Sequence, residues 1–465
     1  MAMGQKHQQS NRGFLERQSE YESNARVYPR NLPIAVNRGE GAYVTDVEGR
    51  EYIDCLAGAG SLALGHNHPV VEDAVLDGLQ RKEPQQCLDM ASPTKERFVD
   101  TLFGVLPDGF SRDAKIQFCS PAGTDAVEAA LKIVTAATGK STLLGFSGGY
   151  HGMSSTAMEL MGDSEARRKA SVASTDVHQF PFPYSYRCPF CTGGTDVRKG
   201  GVSTEHDEPC QGKPCHEVCS NYVENRLDDP YGGIGEPAGM VTEIVQGEGG
   251  VIPAPNRWVK EMRRITGERD IPFVVDEIQT GLGRTGEMFA VEHADVTPDV
   301  MTLSKAIGGG FPLSVVVYDC SLDVLEPGSH AGTFRGNQYA MAAGAAAIEY
   351  IVDNDLAEKA DRLGTRLRSH LERTARKHGE IGDVRGKGLM LGVEIVDPDA
   401  GGDGVPPHDG DTAERIQRRC LDEGLIVETG GRDSSVVRFL PPLVVTEGEV
   451  DSIGEKFDSA AGKAV

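Results

Sequence analysis

Residues 271–312 read IPFVVDEIQTGLGRTGEMFAVEHADVTPDVMTLSKAIGGGFP. The runs IPFVVD and DVMTL are short and almost wholly apolar, which is typical of parallel strands that are buried on both faces of a sheet. Asp276 ends the first run, and Lys305 follows the second run just before three glycines. Because open α/β sheets bind ligands beyond the carboxyl ends of their strands, we expect both side chains at the ligand-binding edge of one sheet.

The same alternation of strands and helices continues on both sides of this stretch. Upstream, AKIQFCS, STLLGFS and MVTEIVQ read as strands, and TDAVEAALKIVTAATG reads as a helix that Gly139 closes. Downstream, helical blocks alternate with the strands LMLGVEIV and VVRFLPPL. Near the start of the chain, residues 27–56 read as a small hairpin-rich region. The sequence therefore predicts an α/β protein with a large, doubly wound, mostly parallel sheet domain and a smaller α+β domain built from both termini.

The domain boundaries that we predict follow from this organisation. Residues 1–75 and 337–465 form the two parts of the small domain, and residues 76–336 form the large domain. Within the large domain, residues 184–221 are charged, rich in Gly and Cys, and interrupt the α/β alternation. We interpret them as an insertion.

Charge and hydropathy exclude several classes of function. The formal net charge is −23 and no basic face is evident, which argues against nucleic-acid binding. No apolar stretch reaches the ~18 residues of a membrane helix, and the polar start of the chain has no secretory signal, so we expect a cytoplasmic protein without a membrane partner. An acidic, Lys-poor composition resembles that of halophilic proteins, which work where salt screens self-repulsion.

Lys305 and Asp276 together point to amine chemistry. Transfer of an amino group needs an electron sink and an aldehyde, and pyridoxal 5'-phosphate supplies both. Lys305 can hold that cofactor covalently, and Asp276 can keep its pyridine nitrogen protonated. Each residue has a plainer interpretation: Lys305 as a surface lysine in a turn, and Asp276 as an aspartate at a helix N-cap. The cofactor interpretation is stronger for the pair, because both residues stand at the same ends of neighbouring strands.

Two further segments suit the same cofactor. Gly123 and Thr124, in SPAGTDAVEAALK, begin a helix whose N-terminal N–H groups favour a phosphate. Tyr150 and His151, in SGGYHG, follow a third strand, where an aromatic side chain can stack on the cofactor ring. Taken alone, the glycine is more often structural, and a Tyr-His pair is more often ordinary packing.

Several longer stretches carry a resemblance to a known family: ESNARVYPRNLPIA, VTDVEGREYIDCLAGAGSLALGHNHP, EIVQGEGGVIPAP, VVDEIQTGLGRTGEMFAVEH, SKAIGGGFPLSVV, GTFRGNQ and VRGKGLMLGVEIVD. Together they resemble the class III aminotransferases, which have the fold type I architecture of pyridoxal-phosphate enzymes. The similarity covers nearly the whole chain apart from the Cys-rich part. Within the class, the sequence is most similar to the enzymes that move the ω-amino group of L-2,4-diaminobutyrate to 2-oxoglutarate.

The resemblance implies a role for each matching position. It makes residues 76–336 the pyridoxal-phosphate domain and the protein an obligate homodimer. The implied cofactor residues are Lys305 as the covalent attachment, Asp276 at the pyridine nitrogen, Ile278 behind the ring, Gln279 near the ring hydroxyl, Gly123 and Thr124 at the phosphate, Tyr150 beside His151 as the stacking aromatic, and Thr333 at the phosphate of the neighbouring subunit.

The implied substrate residues are two acids and an arginine. Glu243 and Glu248 match active-site acids, and Arg438 matches the arginine that binds the α-carboxylate of glutamate or 2-oxoglutarate. Glu248 can pair with Arg438 when the ω-amine is bound and release it when a carboxylate is bound. The expected mechanism is ping-pong, with the Lys305 amine moving the proton.

Three alternatives stay open at this point. Ornithine, acetylornithine or 4-aminobutyrate aminotransferases are close relatives, but the ornithine and 4-aminobutyrate enzymes have an arginine where GYHGMS has Met153. A racemase or epimerase uses the same Lys and Asp without needing 2-oxoglutarate. The third is a binding protein that zinc stabilises and that has lost catalysis.

The Cys-rich segment carries a separate hypothesis. RCPFC and CHEVC place Cys188, Cys191, Cys215 and Cys219 at spacings that suit a tetrahedral structural zinc, with Cys210, His206 and His216 as spare ligands. The plainer interpretation is a set of unpaired thiols in a loop, because related enzymes keep YRCP without the other cysteines.

Overall fold

The computed structural model describes residues 10–162, 176–190, 209–210, 213–400 and 404–465. Its α-helices are α1 (Asn11–Tyr21), α2 (Tyr28–Asn31), α3 (Pro69–Gln80), α4 (Pro93–Phe103), α5 (Asp108–Ser111), α6 (Gly123–Thr138), α7 (Ser155–Glu159), α8 (Cys215–Asp228), α9 (Asn256–Gly267), α10 (Gln338–Asp353), α11 (Leu356–Ala375), α12 (Gly410–Asp422) and α13 (Glu447–Ala464).

The strands fall into three larger sheets and two short pairs among the described residues. They are β1 (Val36–Glu40), β2 (Tyr43–Asp46), β3 (Glu51–Asp54), β4 (Ala114–Phe118), β5 (Thr142–Phe146), β6 (Val177–Phe180), β7 (Pro209–Cys210), β8 (Lys213–Pro214), β9 (Pro237–Glu243), β10 (Val245–Gln246), β11 (Ile252–Pro253), β12 (Phe273–Asp276), β13 (Val300–Leu303), β14 (Val315–Asp319), β15 (Ile381–Lys387), β16 (Met390–Ile395), β17 (Leu425–Ile426), β18 (Glu428–Gly430) and β19 (Val436–Phe439).

The central sheet has seven strands in the order β4-β14-β13-β12-β9-β5-β6. Strands β13, β12, β9, β5 and β6 pair in parallel, which confirms the predicted doubly wound, mostly parallel sheet. Strand β14 runs antiparallel to both β13 and β4, and the sequence did not predict this reversal. All seven strands lie within residues 76–336, the large domain that we propose.

Two four-stranded sheets lie outside that range. The first has the order β1-β2-β3-β17, so a strand from the C-terminal part pairs in parallel with β3 from the N-terminal part. The second has the order β15-β16-β19-β18 and is antiparallel throughout. Pairing of β17 with β3 is what a small domain assembled from both chain ends requires.

Helix α6 shows how the central sheet is covered. Its buried positions include Ala126, Ala130, Ile133 and Val134, which repeat at helical spacing and pack on the apolar strands. Gly139 ends the helix with a φ of 68°, in the left-handed region that glycine adopts most easily. No helix in the described ranges is both long enough and apolar enough to cross a membrane.

The proposed insertion is only partly described. Tyr184 and Tyr186 are buried in the main core, and helix α8 begins at Cys215 and continues to Asp228. The proposed end of the insertion at residue 221 therefore falls inside a helix.

Candidate active site

The carboxyl ends of three neighbouring strands form the base of the candidate site. Asp276 at the end of β12 is in register with Glu243 at the end of β9 and with Thr302 in β13. Lys305 follows two residues after β13 ends at Leu303. Asp276 and Lys305 therefore leave adjacent parallel strands at the same edge, the position that ligands occupy in open α/β sheets.

Lys305 is held in a strained and electrostatically unusual position. Its φ is 50°, in the left-handed region that a residue with a side chain seldom adopts and that is more frequent at functional sites. Burial and the nearby Arg438 charge lower the pKa of Lys305 to about 8, while the carboxylates of Asp276, Glu248 and Glu243 act in the opposite direction. The lowered pKa makes a neutral form of this amine, which can accept a proton, available close to physiological pH.

Asp276 forms the most deeply buried charged contact of the site. Its Oδ2 lies 2.7 Å from His151 Nδ1, and its Oδ1 accepts a hydrogen bond of 3.0 Å from the Ile278 N–H. The side chains of Asp276 and His151 are both buried. Burial alone would lower the pKa of His151, but the hydrogen bond and charge of Asp276 raise it. The two contacts therefore fix the orientation of the Asp276 carboxyl group and of its imidazole partner.

Glu243 connects two loops at the site. Its carboxylate accepts hydrogen bonds of 3.0 Å from the Tyr150 N–H and the Gly247 N–H. Burial raises the pKa of Glu243 to about 7, with the Asp276 charge acting in the same direction and His151 and the two N–H donors opposing it. Glu243 thus fixes the Tyr150 loop relative to the turn that carries Glu248.

The start of helix α6 lies against the same region. A Cβ placed on Gly123 would lie 3.2 Å from the Ile278 side chain and 3.5 Å from Ser304 Cβ, so Gly123 borders both the Asp276 and the Lys305 segments. The Thr124 hydroxyl contacts the Ser154 hydroxyl and accepts a hydrogen bond of 3.2 Å from the Ser154 N–H. The helix start, where phosphate binding is predicted, is thereby tied to the loop after His151.

Arg438 is a buried cation between Glu248 and Gln279. Its side chain is completely buried, and its Nη1 lies 2.6 Å from Glu248 Oε2 while its Nη2 donates a 3.1 Å hydrogen bond to Gln279 Oε1. Arg438 Nε has no hydrogen-bond partner among the described residues. A buried guanidinium with an unused donor is well suited to bind a carboxylate ligand.

Two residues near Arg438 were missed by the sequence analysis. Glu428 Oε2 lies 3.2 Å from Arg438 Nη1, and Glu428 Oε1 accepts a 2.8 Å hydrogen bond from the Tyr28 hydroxyl. Glu428 is opposite Arg438 in the antiparallel pair of β18 and β19. Tyr28 lies in the stretch ESNARVYPRNLPIA, but no role was inferred for it, and no motif contained Glu428. Only the cross-strand register reveals this second carboxylate.

The remaining predicted residues are placed as follows. Thr333 is exposed, and Tyr150 is 37% exposed. Partial burial of Tyr150, together with the charges of Glu248, Glu243 and Glu428, raises the pKa of its hydroxyl. Cys188, Cys215 and Cys219 come together, whereas Cys191 lies outside the described residues.

A comparison with protein families identifies one model, described as aminotransferase class-III, that matches residues 25–461. Among curated proteins, the diaminobutyrate--2-oxoglutarate aminotransferase of Rhizobium meliloti is 50% identical over 95% of this chain and 90% of its own length. The Haemophilus influenzae enzyme of the same name is 40% identical over 98% of this chain and 96% of its own length.

Solved structures agree with that comparison. The ornithine aminotransferase of Toxoplasma gondii, which has partial occupancy of PLP at its active site, is similar with a TM-score of 0.79 and 25% identity, over 98% of this chain and 95% of that one. An amine transaminase from an uncultivated Pseudomonas species, in its PLP-bound form, has a TM-score of 0.82 and 25% identity over 96% of this chain and 98% of that one.

Proposed function

The chain belongs to the class-III aminotransferase family, and within that family we propose that it transfers the ω-amino group of L-2,4-diaminobutyrate to 2-oxoglutarate. The products are L-aspartate 4-semialdehyde and L-glutamate. Relatives at 50% and 40% identity carry that activity in their names, which supports the choice of donor. One observation carries the proposal. Arg438 is buried, the exposed carboxylate of Glu248 pairs with it, and both charges lie close enough to Lys305 to act on its pKa.

The site fits pyridoxal 5'-phosphate by several independent features. Lys305 has a lowered pKa, Asp276 is a buried carboxylate at the next strand end, and Gly123 leaves room where a Cβ would crowd Ile278. Lys305, Asp276, Ile278, Gln279, Gly123, Thr124, Tyr150, His151 and, from a second subunit, Thr333 would hold the cofactor. When bound, it supplies the aldehyde and the electron sink that side chains lack.

The roles of the protein's own groups follow from their surroundings. The Lys305 amine, with its pKa near 8, accepts a proton from the carbon that bears the reacting amine and returns it at a second carbon. Asp276 would stand beside the pyridine nitrogen of the cofactor, and His151 and the Ile278 N–H hold both of its oxygens in place. Glu243 orients the Tyr150 loop through its backbone contact.

Glu248 and Arg438 allow one pocket to accept two kinds of substrate. The donor brings an ammonium group, and a free guanidinium would repel it, so Glu248 stays paired with Arg438. The acceptor brings a carboxylate, which takes the place of Glu248 on Arg438. The side chain of Glu248 is 48% exposed and can move aside, whereas that of Arg438 is 1% exposed and stays in place.

The assembly and location that we propose are a homodimer in the cytoplasm. Leu76 and Leu79 on α3 are about half exposed, and Leu88 and Met90, which follow in the sequence, expose large apolar side chains as well. Exposed apolar side chains of this kind support contact with a second copy of the chain. Eight of the described cysteines, a set that excludes Cys210, are not in disulfides, which suits a reducing compartment.

A screen of amino donors with 2-oxoglutarate tests this function. Purified enzyme with added cofactor is offered diaminobutyrate, ornithine, acetylornithine and 4-aminobutyrate, and glutamate formation is followed. We expect the highest kcat/KM with diaminobutyrate. A higher value with another donor reassigns the substrate, and inversion of an amino acid without 2-oxoglutarate and without glutamate formation would identify a racemase instead.

A further inference from the structure

Apart from the candidate active site, the described residues contain a cluster of three cysteine thiols. Cys188, Cys215 and Cys219 each offer a sulfur, and the three sulfurs lie within 4.8 Å of one another. Cys188 and Cys215 are 27 positions apart in the sequence, yet their sulfur atoms are 3.4 Å apart. The mechanism uses none of these residues.

The local structure explains why the sulfurs converge. Cys215 and Cys219 are four residues apart in the first turns of α8, so they lie on the same face of the helix. Cys188 follows the short 3-10 turn Ser185–Arg187. Cys215 and Cys219 are buried in the main core, and Cys188 packs against it half-buried. The geometry is thus set by a helix and a turn, not by a loop end.

The spacing of the sulfurs matches a tetrahedral thiolate site. Zinc binds thiolate sulfur at ~2.3 Å, which at a tetrahedral angle places the sulfurs about 3.8 Å apart. The observed separations, 3.4 Å for one pair and at most 4.8 Å for all three, bracket that value.

Both sides of the cluster are anchored to the rest of the fold. Next to Cys188, Arg187 Nε lies 2.5 Å from the buried carboxylate of Glu394 on β16. In α8, Glu224 pairs with Arg264 of α9 at 3.0 Å. A metal ion that joins Cys188 to Cys215 would link these two anchored segments and close the stretch of chain between them. A link that closes a long stretch of chain adds more stability than one that closes a short stretch.

We propose that Cys188, Cys215 and Cys219 bind one Zn²⁺ ion with a structural role, and that a fourth donor completes its tetrahedral coordination. Three converging thiols fit a disulfide poorly, because a disulfide joins two sulfurs and would leave the third without a bond. Thiolates select soft or borderline metals, and zinc is the redox-inert choice with tetrahedral preference. The site is separate from the Lys305 region and serves the stability of the fold.

Metal analysis of the full-length holoenzyme tests the proposal. The protein is expressed with added zinc, purified without chelator or metal-binding tag, and measured by mass spectrometry of its elements. We expect about one zinc per chain in the wild type and in Cys320→Ser, and a loss to below ~0.2 per chain in Cys215→Ser and Cys219→Ser. Cys320 is exposed and is the matched control.

A second measurement keeps the test decisive if a variant fails to fold. Replacement of the metal by Co²⁺ in wild-type protein should produce thiolate charge-transfer bands and the d–d bands of a tetrahedral site. Wild-type protein without zinc, retention of zinc by Cys215→Ser, or a Cys188–Cys215 disulfide in a non-reducing peptide map would each overturn the proposal.

Transamination is assayed on the same samples to separate the two proposals. Zinc-free wild-type protein that is active would overturn the zinc site alone. Zinc-loaded protein that transaminates none of the donors would overturn the proposed function alone. Zinc-depleted protein should also unfold at a lower Tm than the loaded form, because the metal binds only the folded state.

Discussion

Two acid–base pairs act on Lys305, and they differ in how firmly they are held. Asp276 is 4% exposed, and both of its oxygens have partners on fixed elements, His151 and the Ile278 N–H. The Glu248 side chain is 48% exposed and contacts Arg438 through one oxygen, from a turn rich in glycine. The Asp276 carboxylate cannot leave its partner without leaving a buried charge unpaired, whereas the Glu248 carboxylate can turn into water.

The difference matches two needs of the proposed reaction. A group that acts in the same way on both substrates has to stay in one place, and a preorganised buried charge does this at no cost during reaction. A group that distinguishes an ammonium from a carboxylate has to change position between the two half-reactions. The contrast between Asp276 and Glu248 therefore predicts effects of different size and kind.

The largest effect is expected for Asp276→Asn. Loss of the fixed charge should lower kcat by on the order of 10²-fold or more in both half-reactions, the scale of a preorganised group in a buried site. Glu277→Gln is the matched control, because Glu277 is buried next door but bonds to Thr280 and the Val291 N–H. Stopped-flow single turnovers measure both variants. An Asp276→Asn enzyme as active as Glu277→Gln would remove Asp276 from the mechanism.

An intermediate and one-sided effect is expected for Glu248→Ala. Without its carboxylate, Arg438 repels the ammonium of the donor, so the diaminobutyrate half-reaction should slow about 10-fold more than the glutamate half-reaction, a difference of ~1.4 kcal/mol. Glu428→Gln should slow the diaminobutyrate half-reaction less than Glu248→Ala does, because Glu248 still pairs with Arg438 in that variant. Equal losses in the two half-reactions of Glu248→Ala would contradict the exchange of partners.

The smallest effect concerns the pKa of Lys305. Its amine reacts only when deprotonated, so binding of the cofactor to the apoenzyme should speed up as pH rises and level off above about 8. Arg438 lowers this pKa, and Arg438→Gln should therefore move the profile to higher pH and slow the reaction a few-fold at neutral pH. Arg432→Gln, which leaves Arg438 in place, should keep the wild-type profile. An unmoved profile in Arg438→Gln would show that the two cations do not interact.

The strand-end part of the site could be predicted because its signals are local. Buried parallel strands are continuous apolar runs, and Asp276 and Lys305 stand where those runs end. The family match confirms the predicted class of enzyme. The roles of the individual site residues stay predictions.

Other features could not be predicted, for physical reasons. An apolar run has no direction, so VVVYD in β14 reads the same whether the strand is parallel or antiparallel. Glu428 meets Arg438 only through the register of a three-residue strand. The start of α8 was hidden because its buried positions include Cys215, His216 and Ser220, which do not form an apolar pattern.

The most direct test of the account is the position of the cofactor on the chain. The holoenzyme is treated with borohydride to make the link to the protein permanent, then digested and mapped by mass spectrometry. The account predicts one modified peptide, with the pyridoxyl group on Lys305 and on no other lysine, and none in Lys305→Ala. Attachment at a different lysine, or an active holoenzyme in which Lys305 stays unmodified, would contradict it.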